Sequence, residues 1–229
     1  MVRCHMSPTP RNATTDLALI AAICSSTAAI VMNDADCDLA LTAILFGAVG
    51  TAGQRCTSTR RLYLQRSIAA QFLQRLSDAY SRVPIGDPLD PTTLVGPLHT
   101  PAAVSLYKRA IDDVQRSGGE VLTGGSVYTH PSAHLRGGNY VLPAIAVPNA
   151  SPIAEHQDLV KKIWEHETFA PILKVAFFDD LEEAIAMNNA VPQGLSSCLW
   201  STDVRNLGKW IGPAGSDCGI VNVCTTFPR

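Results

Sequence analysis

Residues 50–80 read GTAGQRCTSTRRLYLQRSIAAQFLQRLSDAY. The first four are small and two are glycine, so the backbone can turn sharply there and come close to a ligand. RLYLQ at 61–65 then alternates as a strand does. Ser67 follows as a helix N-cap, and Ile68, Phe72, Leu76 and Tyr80 repeat every four residues along one helical face. A turn, a strand and a helix in so short a span form the unit from which α/β folds are assembled.

The flanks extend that pattern. On the amino-terminal side, residues 34–49 predict a helix capped by Asp34 or Asp36, carrying Leu39, Ala43, Leu45 and Phe46 and ending at Gly50 and Gly53. On the other side, residues 83–100 hold too many prolines and glycines for a regular element. Thr100 and Pro101 then supply a cap and a first-turn proline. The helix they start presents Val104, Tyr107, Ile111 and Val114 and stops at Gly118-Gly119, before a short strand at 120–123. Further strands are predicted at 140–147, 172–178, 195–200 and 219–223, with helices near 180–188 and 203–211. The segments 130–138 and 149–156 read as loops. The expected fold class is α/β, with a mainly parallel sheet and flanking helices.

Composition limits the functions open to such a chain. The 229 residues are 46% hydrophobic and 17% charged, with Lys+Arg 18 against Asp+Glu 20 and a net charge of −2. That balance offers no clustered basic surface for phosphates, so nucleic acid is not an expected partner. The apolar run at 17–32 is interrupted by Cys24, Ser25, Ser26 and Thr27, too short and too polar for a membrane span. A cytoplasmic location is expected, with a mitochondrial one as the alternative. Seven cysteines, at 4, 24, 37, 56, 198, 218 and 224, form no C-x-x-C pair, which points to reduced thiols and to no metal site.

One thiol stands out. Arg55 beside Cys56 would favour the thiolate, the nucleophilic form, in a turn that admits a ligand. The same residues also suit a glycine-rich helix end with a buried thiol, and residue type alone does not separate the two.

The segment GTAGQRCTSTRRLYL resembles the nucleophile region of the aldehyde dehydrogenase superfamily, marked by a Gly-Gln-x-Cys turn. HETFAPIL at 166–173 resembles that superfamily's Glu-x-Phe-Gly-Pro block, with Ala170 in the glycine slot, and NNAVPQGLSS resembles the block that follows it. VGPLHT and GSDCGIVNV are similar to its antiquitin branch, the aminoadipate semialdehyde dehydrogenases.

The resemblance implies a catalytic domain over 28–223, between a divergent segment 1–27 and a divergent tail 224–229. It implies Cys56 as the catalytic nucleophile, Arg55 as the holder of a substrate carboxylate, and Glu167 and Phe169 as contacts to the nicotinamide end of NAD. The substrate would be a small aldehyde, one like aminoadipate semialdehyde. The thiolate would form a thiohemiacetal and then a thioester, with the Cys56 backbone N–H as half of an oxyanion hole. The superfamily's general-base glutamate aligns with Ala22, and no segment resembles its dinucleotide-binding turn. A truncated chain with weak NAD binding and little turnover is therefore expected. The alternatives are a non-catalytic chain that pairs with full-length subunits or as a homo-oligomer, and a weak thiol esterase.

Overall fold

The computed structural model describes residues 27–154 and 158–225. The strands are β1 (Thr27–Val31), β2 (Thr59–Gln65), β3 (Glu120–Thr123), β4 (Ala144–Val147), β5 (Ile172–Phe178), β6 (Ser196–Trp200) and β7 (Ile220–Cys224). The helices are α1 (Cys37–Val49), α2 (Arg66–Ser81), α3 (Pro101–Arg116), α4 (Asp158–Glu165), α5 (Leu181–Asn189) and α6 (Val204–Ile211). One seven-stranded sheet runs in the order β3-β4-β5-β2-β1-β6-β7. Every pairing is parallel except that of β3 with β4. This is the expected α/β class.

Helices cover both faces. Ala29, Val31, Leu62 and Leu64 point into one core with α1, α2 and α3, while Ala28, Ile30 and Tyr63 point into another with α5, α6 and Trp164 of α4. Burial on both faces explains why β1, TAAIV, is buried at every position and shows no alternation. A strand without alternation leaves no period-two signal in the sequence, so β1 is not among the strands expected from it. RLYLQ reads as alternating, but β2 is central, and even Arg60 and Arg61 are buried there.

Other expectations are corrected or met in detail. In α1 the buried residues are Ala40, Ile44, Ala48 and Val49, whereas the predicted face is turned outward, with Leu39 47% and Phe46 55% exposed. Small residues let this helix lie close to the sheet. Asp36 is its N-cap, and the position before α2 belongs to Gln65, with no side-chain cap, rather than to Ser67. Asp34 has a different task. Its Oδ2 accepts from Ser201 Oγ (2.9 Å) and from the backbone N–H groups of Thr202 and Asp203 (both 2.8 Å), tying the end of β1 to the end of β6. Thr100 caps α3 as predicted, and Tyr107, Ile111 and Val114 are buried. The eight-residue α4, whose Val160, Ile163 and Trp164 are buried, was not foreseen. No helix among the described residues is long and apolar enough to cross a membrane.

Candidate active site

After α1 the chain turns through Gly50–Gly53 and enters β2 by way of Cys56, which is exposed. Thr51, Ala52 and Gly53 have φ of 57°, 52° and 67°, three left-handed residues in succession. Such a conformation is strained for any residue with a Cβ, and strain of this kind gathers at functional sites. Gly53 is needed for a further reason: a Cβ there would lie 2.7 Å from the backbone C and O of Ala170. The turn that leads to Cys56 and the segment at 166–171 are therefore in backbone contact.

Among the described residues, one other non-glycine has positive φ. It is Phe169, at 51°, in that second segment. All the strained non-glycine positions thus fall in two touching loops, and those loops carry Cys56, Glu167 and Phe169.

Arg60 lies between them and is 3% exposed. Its Nη2 donates to the Arg55 carbonyl (3.1 Å) and is 3.3 Å from Glu167 Oε1, and its Nη1 donates to the Ala170 carbonyl (3.4 Å). Its guanidinium carbon sits 4.8 Å from the centroid of the Phe169 ring, a cation–π distance. Burial pushes the Arg60 guanidinium below its ordinary range, while the charges of Glu167 and Cys56 act in the opposite direction. Glu167 Oε1 is buried against Arg60 Nη2 and has no other partner, while the Glu167 side chain as a whole keeps 15% exposure.

Arg55 differs from its expected role beside the thiol. Its guanidinium is folded back over the Phe46 ring (5.1 Å), and its Nη2 donates to the Phe46 carbonyl (3.3 Å). Gly50 leaves room for it, since a Cβ there would strike Nη2. Arg60, a residue not singled out from the sequence, also lies within reach of the charge of Cys56. A double arginine at the start of a strand buried on both faces was the available signal.

Two further segments reach the same end of the sheet. Gln54 donates to the Pro97 carbonyl (3.3 Å) and its Oε1 accepts from His99 N–H (3.0 Å), which brings VGPLHT to the turn. Gln193 Nε2 donates to the Glu165 carbonyl (2.7 Å), joining the NNAVPQGLSS block to the acid segment. These contacts lie where β2, β5 and β6 begin, so the candidate site is at the amino ends of parallel strands. Ligands of open α/β sheets usually bind at the carboxyl ends. His166, next to Glu167, is held towards its neutral form by burial and by the nearby charges of Lys174 and Lys162. Ala22, Cys4 and Cys24 lie outside the described residues.

The aldehyde dehydrogenase family model matches residues 12–228. Aldehyde dehydrogenase family 7 member A1 of Pisum sativum is 50% identical over 196 residues, 86% of this chain and 36% of the relative. Alpha-aminoadipic semialdehyde dehydrogenase of Mus musculus is 48% identical over 198 residues, 86% of this chain and 34% of the relative. The chain thus spans about a third of the length of these curated relatives. An aldehyde dehydrogenase structure from Burkholderia cenocepacia superposes with a TM-score of 0.77 at 33% identity, over 86% of this chain and 38% of that one. Betaine aldehyde dehydrogenase of Staphylococcus aureus, solved in complex with NAD+, superposes with a TM-score of 0.77 at 25% identity, over 89% of this chain and 38% of that one. The chain belongs to the aldehyde dehydrogenase family.

Proposed function

We propose that residues 28–223 form the catalytic unit of an NAD-linked aldehyde oxidation, with Cys56 as its nucleophile. The observation that carries this reading is the confinement of the strained positions Thr51, Ala52 and Phe169 to the two loops that hold Cys56 and Glu167. In this mechanism the Cys56 thiolate adds to the aldehyde carbon, and the new alkoxide is met by the Cys56 backbone N–H. When bound, NAD supplies the hydride acceptor that turns the Cys56 adduct into an acyl-thioester. The partly exposed carboxylate of Glu167 would hold a ribose hydroxyl, and the Phe169 ring offers a flat apolar contact for the nicotinamide. Water then cleaves the thioester. With Ala22 in the slot of the general-base glutamate, that step is slow in this chain.

The substrate class we favour is a semialdehyde with a carboxylate at its far end, like aminoadipate semialdehyde. Arg55 provides the cation for that carboxylate by leaving Phe46, since a guanidinium suits bidentate binding of a carboxylate. The similarity to the mouse semialdehyde dehydrogenase supports this choice.

The test is acylation by an activated ester such as p-nitrophenyl acetate, followed by intact mass and peptide mapping. We expect a burst of at most one equivalent, an acyl group on Cys56 that persists, and no burst in Cys56→Ala. Acylation of Cys198 or Cys218 in place of Cys56 would overturn the assignment.

A further inference from the structure

We infer that Arg60 is the positioning residue of this site, its single guanidinium joining the nucleophile turn to the Glu167–Phe169 loop. The inference rests on the reading of Cys56 as nucleophile. Arg60 reaches both loops at once, through the Arg55 carbonyl on one side and the Ala170 carbonyl, the Glu167 carboxylate and the Phe169 ring on the other. Arg60 and Ala170 are 110 residues apart in the chain, and both loops hold left-handed residues that ordinary loop preferences would relax. A planar fork with donors in fixed directions can hold several acceptors together, which a lysine ammonium does not do.

Stability alone does not account for the residue. A buried ion pair is often replaceable by apolar side chains at no loss, and Arg60 Nε is buried without a partner. Its contacts instead converge on the residues that the mechanism uses. Removing the guanidinium leaves the Glu167 charge uncompensated and releases the turn from the loop.

The experiment follows carbamidomethylation of each cysteine by iodoacetamide, with thermal melting measured in parallel, for the unmodified chain, Arg60→Gln, Arg60→Lys and Arg60→Gln/Glu167→Gln. In the unmodified chain Cys56 should label fastest. Arg60→Gln should slow Cys56 labelling roughly tenfold, because the turn that holds the thiol is untied and a nearby cation that favours the thiolate is gone. Arg60→Lys should fall between the two, and the double variant should recover part of the rate because the unpaired acid is gone. A merely structural arginine would lower the melting temperature and leave the labelling unchanged or faster, since a loosened turn exposes its thiol. Cys56 labelling at the unmodified rate in Arg60→Lys overturns the inference, and that comparison holds even if Arg60→Gln does not fold. If Cys56 is not the fastest thiol in the unmodified chain, the nucleophile reading fails and takes this inference with it.

Discussion

Lys174 is buried on β5 beside its register partner Arg61 of β2. Its Nζ donates to the carbonyls of Ile163 (2.6 Å), His166 (3.2 Å) and Trp164 (3.4 Å) at the carboxyl end of α4. Burial, and then the like charges of Arg61 and Arg60, push its ammonium from 10.5 down to about 7. The unfolded chain therefore binds one proton more than the folded one between about pH 7 and 10.5, so stability rises with pH across that window. Below pH 7 the group is charged in both states and the full penalty of burying it is present. Integrating from pH 7 to pH 9 with these two pKa values gives about 2 kcal/mol of added stability from this one group. Lys174→Met keeps the apolar stem and removes the titration. Guanidinium chloride unfolding of both proteins at pH 7 and pH 9, at one ionic strength, isolates the effect, because all other titrating groups are shared. The unmodified chain should gain about 2 kcal/mol on the variant at pH 9. A difference that stays constant between the two pH values would refute the reasoning and show that the three carbonyls hold the proton against burial.

Gly53→Ala should both destabilise the fold and slow acylation of Cys56, because its Cβ would press on the Ala170 backbone at a φ of 67°; a melting temperature and a burst rate equal to those of the unmodified chain would contradict this. Asp34→Ala should lose roughly 2–3 kcal/mol in denaturant unfolding, as the N–H groups of Thr202 and Asp203 lose their acceptor. Burial raises the Asp34 carboxyl, but hydrogen bonds from Ser201, Thr202 and Asp203 outweigh it and hold it below 3.8. Its contribution is thus present above pH 3.8 and lost as pH falls further, so the acid limb of stability should be shallower in Asp34→Ala. Cys198, whose thiol is pushed up by burial and by Cys224 with its Sγ 3.3 Å away, should be alkylated at least about tenfold more slowly than Cys56, and comparable rates would count against it.

The parts legible in the sequence were those with local causes. Thr100 before Pro101 and Gly118 after Val114 are signals that act within a turn of helix, and α3 and β3 stand where they place them. What escaped was set by long-range packing. The face of α1 depends on how near the sheet lies, so Ala40 and Ala48 are inside while Leu39 and Phe46 are outside. In the site, Cys56, Glu167 and Phe169 were legible through quoted motifs, and the fold brings their loops together. The span of Arg60 was not, because it joins segments that meet only after the sheet forms, and the contact of Arg55 with Phe46 was not, because it depends on the left-handed turn between them.

The pairing of β2 with β5 aligns Arg61 with Lys174, and each of these cations is bonded to carbonyls at the carboxyl end of a helix, Arg61 to Met187 and Asn188 of α5 and Lys174 to those of α4. A slip of one residue would carry Lys174 to the opposite face of the sheet and shift the acid loop against the nucleophile turn by about 3.3 Å. The two basic side chains thus act as locating pins: they penalise every register but the one that brings the loop of Glu167 against the turn of Cys56. Substitutions that leave the apolar core intact but remove the hydrogen bonds of either pin should therefore blur the spacing of the two loops before they unfold the chain.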